Sequence, residues 1–162
     1  MAIELRNQRI TDARRFYELL NNPNFKYGPP CPPSVEAEKE WLRKNAEKRE
    51  KKKEWNYSII VDGEMAGGCG IVKCKDEHIA ELGYFIGEEY WGKGITPKAV
   101  EQLERIAFRE LGFKRLEIVV HVDNKASRRV AEKSGYELEG ICKKRIELNG
   151  RYHDACLYSK VR

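Results

Sequence analysis

The sequence predicts an α+β fold: a mostly antiparallel seven-stranded sheet with one parallel β-α-β pair, flanked by about four helices. Three observations predict it. Short runs of strand character are joined by tight turn pairs, Asp62-Gly63 and Asn149-Gly150. Four segments carry apolar residues at helical spacing. One of these, 97–111, lies between two strand segments, 78–87 and 115–122, and a crossover helix of that kind makes its strands parallel.

The elements follow in order. Ile3–Arg6 alternates and reads as a short strand. Thr11 offers an N-cap hydroxyl to a helix whose stripe is Ala13, Phe16, Tyr17, Leu19 and Leu20. Residues 21–33 hold the run Pro29-Pro30-Cys31-Pro32-Pro33, which no helix survives, so they form a loop. Ser34 caps the second helix. Its early turns carry Glu36, Glu38 and Glu40 and its end Lys51-Lys52-Lys53, as the helix dipole favours. Val35, Ala37, Trp41, Leu42 and Ala46 give that helix its apolar side. Residues 55–87 read as a three-stranded meander with turns at Asp62-Gly63 and Lys75-Asp76-Glu77. Pro97 suits the first turn of helix 97–111, which Gly112 closes. The nearly continuous apolar run 115–122 fits a strand covered on both faces. A short helix from Asn124 to Ser134 and a closing hairpin, 136–148 with 151–161, complete one domain over residues 1–162.

Composition narrows the function classes. A net charge of +5 suits an anionic ligand but does not demand nucleic acid. No apolar run approaches the roughly 20 residues of a membrane helix, and Glu4 and Arg6 interrupt any signal-peptide core, so a cytoplasmic location is expected. Five cysteines without a Cys-x-x-Cys pair argue against a disulfide framework or a zinc ribbon. Cys69, Cys74 and His78 fall in a strand-turn-strand pattern, where reduced, partly buried thiols are the simpler expectation; no metal is expected.

The stretch Glu88–Val100, EEYWGKGITPKAV, carries the chemistry. A strand, then Gly-x-Gly, then a helix start presents unpaired N–H groups to an anion. A magnesium-nucleotide loop of the form G-x-x-x-x-G-K-[ST] needs a hydroxyl where Gly94 stands. A dinucleotide loop needs glycine where Pro97 stands. Both are set aside.

The segment E-Y-W-G-K-G (89–94) resembles the coenzyme-A pyrophosphate signature of the GNAT N-acetyltransferase superfamily, with Glu89 in place of its usual Gln or Arg. VDNKASRRVAEKSGYELEG (122–140) and NGRYHDACLYS (149–159) resemble further motifs of the branch that includes ribosomal-protein N-terminal (alanine/serine) acetyltransferases. The order of strands and helices also matches, so the resemblance covers nearly the whole chain.

The resemblance implies acetyl transfer from acetyl-CoA to a primary amine by direct attack in a ternary complex. The amine implied is a protein N-terminus, such as that of a ribosomal protein. A small-molecule or polyamine acceptor, or a non-catalytic CoA-binding or ribosome-associated module, stays open. No membrane contact is implied, nucleic acid enters only through the ribosome, and a homodimer is compatible. Gly92, Lys93, Gly94, Ile95 and Thr96 would cradle the diphosphate through main-chain N–H groups. Thr96 serves equally as helix cap. Gly83–Ile86 would bulge, freeing N–H groups along Tyr84, Phe85 and Ile86. Glu81 is the first candidate general base and could equally be an ion-pair partner; Glu147 is the second. Where the family often has an acidic tyrosine, this chain has Ala131. Ser127 is therefore assigned as acid or thiol-positioning donor. Asn124 would bond the pantetheine amide or cap its helix. Arg129, with Lys125 and Arg128 nearby, would meet the 3′-phosphate. Tyr136, His121, His153 and Asp154 read as structural. The family chooses its acceptor with the segment Asn21–Lys53, with the Pro-rich loop and Trp41 as pocket walls.

Overall fold

The chain runs β1 (Ile3–Asn7), α1 (Ala13–Leu20), α2 (Val35–Glu50), β2 (Glu54–Val61), β3 (Glu64–Lys73), β4 (Ile79–Ile86), α3 (Ile95–Arg105), β5 (Arg115–His121), α4 (Lys125–Lys133), β6 (Glu137–Leu148) and β7 (Arg151–Val161). This computed structural model describes all residues 1–162. The seven strands form one sheet in the order β1-β2-β3-β4-β5-β7-β6. Every pairing is antiparallel except β4 with β5, the two strands that α3 connects. Both glycine turns hold two consecutive positive-φ residues, Asp62 (49°) with Gly63 (84°) and Asn149 (51°) with Gly150 (76°), as a type I′ hairpin requires. No helix is long and apolar enough to cross a membrane.

The sheet buries unequal cores on its two faces. Strand alternation sends Ile71, Leu82, Leu116, Ile118 and Tyr158 to the face covered by α3 and α4, where Ile95, Val100 and Leu103 meet them. The opposite face, under α1 and α2, has a smaller cluster of Phe16, Leu19, Leu42, Ile60 and Met65, with Phe85 packed against it. Truncating a fully buried residue such as Leu103 to alanine would cost about 2–5 kcal/mol.

Three local expectations are corrected. Thr11 caps nothing. A 3-10 turn over Ile10–Asp12 precedes α1. Asp12 is the anchor there: its buried carboxylate accepts from Arg6, the Arg9 N–H and the Ser58 hydroxyl. That network outweighs a single exposed hydroxyl. The helix expected over 97–111 begins two residues earlier, at Ile95, so Thr96 lies inside its first turn and is not its cap. Its last turn, Ile106–Glu110, widens into a π-helical segment before Gly112 closes it at φ 78°. Finally, α2 turns Val35, Glu38, Leu42 and Asn45 toward the sheet and Trp41 toward solvent, 53% exposed beneath the Lys48 ammonium. Two polar residues occupy the inward stripe, which is why apolar counting misplaced Trp41.

Candidate functional site

The corner between β4 and α3 is built from main chain. Gly92 and Gly94 adopt φ 73° and 72°, left-handed values that cost a side-chain-bearing residue roughly 1–2 kcal/mol. Ile95 and Thr96 then open α3. None of the five N–H groups from Gly92 to Thr96 donates to another group of the protein. They form a nest at the positive end of the helix dipole, open at Gly92–Gly94, the physical requirement for holding a phosphate.

The acidic pair just before the nest is drawn away from it. Arg15 of α1 donates to Glu89 at 2.6 Å, and Asn22 and Asn24 donate to Glu88 at 2.6 and 2.7 Å. Glu89, the departure from the signature, is thus an anchor for α1, its carboxylate paired with Arg15.

Next to this corner the sheet opens. β4 and β5 pair only over Ile79–Glu81 and Arg115–Glu117, then diverge. The Gly87 N–H bonds to Ala66 and the Cys74 N–H to Ile79, and the β3–β4 register between them is unshifted. Odd-numbered β4 residues therefore exchange hydrogen bonds with β3, and even-numbered ones face β5. The expected bulge at Gly83–Ile86 is absent; the donors are freed by strand divergence instead. Tyr84 and Ile86 turn their N–H groups into the gap, where β5 no longer pairs. The Ile86 carbonyl accepts from the Trp91 indole at 2.9 Å. Phe85 is corrected: its main chain faces β3, and its ring packs on Phe16 and Phe25 under α1.

Helix α4 lines the other side of the gap. The Asn124 side chain accepts from the Ser127 N–H at 3.2 Å, the capping role, which leaves its amide NH2 free. The Tyr84 hydroxyl lies 3.0 Å from Ser127 Oγ and 3.2 Å from the Ser127 carbonyl. Burial pushes the Tyr84 phenol up to about 12, so it stays protonated. Ala131 and Tyr136 are core residues. Arg128 turns inward to the Tyr158 hydroxyl and the Val122 carbonyl. Arg129 and Lys125 stay exposed beside a shallow cleft of about 310 Å³ on α4.

The α1–α2 face carries the carboxylates. Glu81 lies 3.8 Å from Arg145. Its pKa is raised, first by burial and then by Glu117, against the pull of Arg145. Glu81 is on the opposite sheet face from Tyr84 and about 10 Å away along β4. The structure therefore does not bring Glu81 and Ser127 together; they flank the gap from its two sides. Glu147, paired with Tyr152 far out on the closing hairpin, is remote from β4. Near the end of β5 the Tyr27, His121 and His153 rings stack in sequence, each step 4.7 Å between centroids. They line an open cleft of about 590 Å³ with Lys26, Asp123 and Arg151. Asp154 holds the hairpin, accepting from the Lys144 N–H at 2.9 Å. Nowhere do three His, Cys, Asp or Glu side chains cluster to hold a metal; Cys69 is buried in the core.

A family described as Acetyltransferase (GNAT) domain matches residues 2–137. The chain belongs to the GNAT acetyltransferase family. Among GNAT relatives, the ribosomal-protein-serine acetyltransferase of Escherichia coli K12 is 35% identical over 106 residues, 65% of this chain and 59% of that protein. The chain spans about three fifths of the length of most of the curated relatives it matches. Two solved structures superpose almost completely. The microcin C7 self-immunity acetyltransferase MccE, in complex with acetyl-CoA and AMP, has a TM-score of 0.90 at 28% identity, covering 99% of this chain and 92% of that one. The ribosomal L7/L12 α-N-protein acetyltransferase RimL, in complex with coenzyme A, has 0.90 at 26% identity, covering 99% and 94%.

Within this GNAT frame, sequence reasoning missed the Tyr84 hydroxyl and the stacked histidines. Alternation along β4 does place residue 84 on the α3–α4 face, a usable signal. Nothing local tells that Ser127 stands opposite, or that His121 and His153 meet across β5 and β7.

Proposed function

We propose that the chain transfers acetyl from acetyl-CoA to a primary amine by direct attack in a ternary complex. The observation that carries this is the set of five unpartnered N–H groups at Gly92–Thr96, set beside the gap between β4 and β5. Acetyl-CoA supplies an activated thioester. The Gly92–Thr96 nest would hold its diphosphate, and Arg129 with Lys125 would meet the 3′-phosphate. The free N–H groups of Tyr84 and Ile86 and the Asn124 amide hydrogen-bond the pantetheine arm in the gap. A thioester held in the gap would be open to an amine approaching from the α1–α2 face.

The remaining residues move protons. An α-amine has a pKa near 8 and must lose a proton to attack. Glu81 takes it through a chain of waters on the α1–α2 face, and its raised pKa makes it a better base than an exposed carboxylate. The Ser127–Tyr84 hydroxyl pair returns a proton to the departing thiolate; Tyr84, protonated at neutral pH, is the reservoir. A protein N-terminal α-amine is the acceptor supported by the relatives that act on ribosomal proteins. A small-molecule amine is the second reading, supported by the open cleft and by AMP in the MccE complex. Incubation with acetyl-CoA and a panel of N-terminal peptides and small amines should release free thiol. Absence of acetyl-CoA binding by calorimetry contradicts the proposal.

A further inference from the structure

We infer that the cleft between the Pro-rich loop and the β6–β7 hairpin selects acceptors that carry an anionic group, carboxylate or phosphate, a few bonds from the amine. The inference rests on the acetyl-transfer reading and names its acceptor. The cleft holds about 590 Å³, enough for a dipeptide end or a small metabolite. Two cations line it, Lys26 from the loop and Arg151 from the hairpin. Neither side chain makes an ion pair or a hydrogen bond within the protein. Two unspent cations in one cleft call for an anion and repel a polyamine.

The cleft is also polar in direction. Asp123, the one lining carboxylate, has no partner for its side chain and immediately precedes Asn124 in the turn beside the coenzyme gap. The acceptor's anionic group fits at Lys26 and Arg151, and its amine end extends past Asp123 toward the gap. The wall between is rigid. His121 is 5% exposed, its Nδ1 accepts from the Asp123 N–H at 3.0 Å, and its ring is held between Tyr27 and His153. The imidazole proton is therefore on Nε2.

The test uses peptides that differ only in Glu, Gln or Lys at the second position, with free glutamate and O-phosphoserine as small-molecule arms. kcat/KM is measured for the wild type and for the double variant Lys26→Gln/Arg151→Gln, both surface positions. The expected result is at least tenfold preference for Glu over Lys. In the double variant that preference falls to within twofold, with the Gln peptide and acetyl-CoA affinity unchanged. Activity on O-phosphoserine and glutamate alone gives the same anion selectivity with small molecules as its source. A wild type that transfers acetyl without charge preference, or a double variant that loses Glu and Gln peptides equally, overturns this inference and leaves acetyl transfer standing. Failure of acetyl-CoA to bind overturns both.

Discussion

The α3–α4 side of the molecule and the α1–α2 side are made of different materials. The side proposed to hold the coenzyme is main chain: five N–H groups at a helix start and two more along a diverging strand. Such a site tolerates side-chain drift, as Glu89 shows by pairing with Arg15 instead of facing the nest. The α1–α2 side is side chain: Glu81, Asp123, Lys26, Arg151 and a ring stack, drawn from the loop 21–33, strands β4, β5 and β7 and the turn after β5. On the proposed reading, substitutions alter the acceptor site more readily than the donor site, because only the acceptor site is built from side chains.

The largest expected effect comes from breaking the main-chain side. Gly94→Val puts a branched side chain at φ 72°, where it costs roughly 1–2 kcal/mol of stability, and crowds the nest. Acetyl-CoA affinity by calorimetry should fall more than tenfold, while circular dichroism shows the fold retained. An unchanged affinity breaks the comparison at its stronger half.

Next is Glu81→Gln, with an expected loss in kcat of about 100-fold near neutral pH. The raised pKa means that Glu81 deprotonates later than an ordinary carboxyl as pH rises. Wild-type kcat/KM should therefore rise with pH through that ionisation, and the variant should lack that limb. Acetyl-CoA affinity should not change, since Glu81 lies on the other sheet face.

Smaller effects sharpen the border between the two sides. Tyr84→Phe and Ser127→Ala should each lower kcat about tenfold, and the double variant hardly further, because one hydroxyl pair is broken once. Equal, additive losses would mean separate roles.

The smallest effect is on stability. Glu38 is 8% exposed under α2, and burial holds its carboxyl up to about 7 against an ordinary 4.5. Below pH 4.5 both folded and unfolded states are protonated and nothing is lost. Above pH 7 both are ionised and the full penalty applies. Glu38→Gln should therefore stabilise by about 1–3 kcal/mol at pH 8 and by little at pH 4, read by urea unfolding at both pH values. Equal shifts at the two pH values would show that charge is not the cause.

The sequence made the main-chain side more legible than the side-chain side, for a physical reason. Turn pairs such as Asp62-Gly63, the Ser34 cap and the Gly92-Lys93-Gly94 corner are local, so neighbouring residues suffice to read them. The Ser34 hydroxyl does accept from the Ala37 N–H at 3.0 Å. The divergence of β4 from β5 is not local, and so a bulge was expected where the strands simply part. The Tyr84–Ser127 contact spans 43 residues and needs the fold before it exists. Glu38 faces inward against its polarity because Val35 and Leu42 flank it on the same stripe of α2, and Asn45 does so one turn past Leu42, donating to Gln8.

The most direct test of the central claim follows backbone amides by NMR as acetyl-CoA is titrated into the protein. The amides of Gly92, Lys93, Gly94, Ile95 and Thr96 should show the largest shifts, moving downfield as each gains an acceptor, and should saturate together. Saturable binding that leaves those five amides in place would contradict the account.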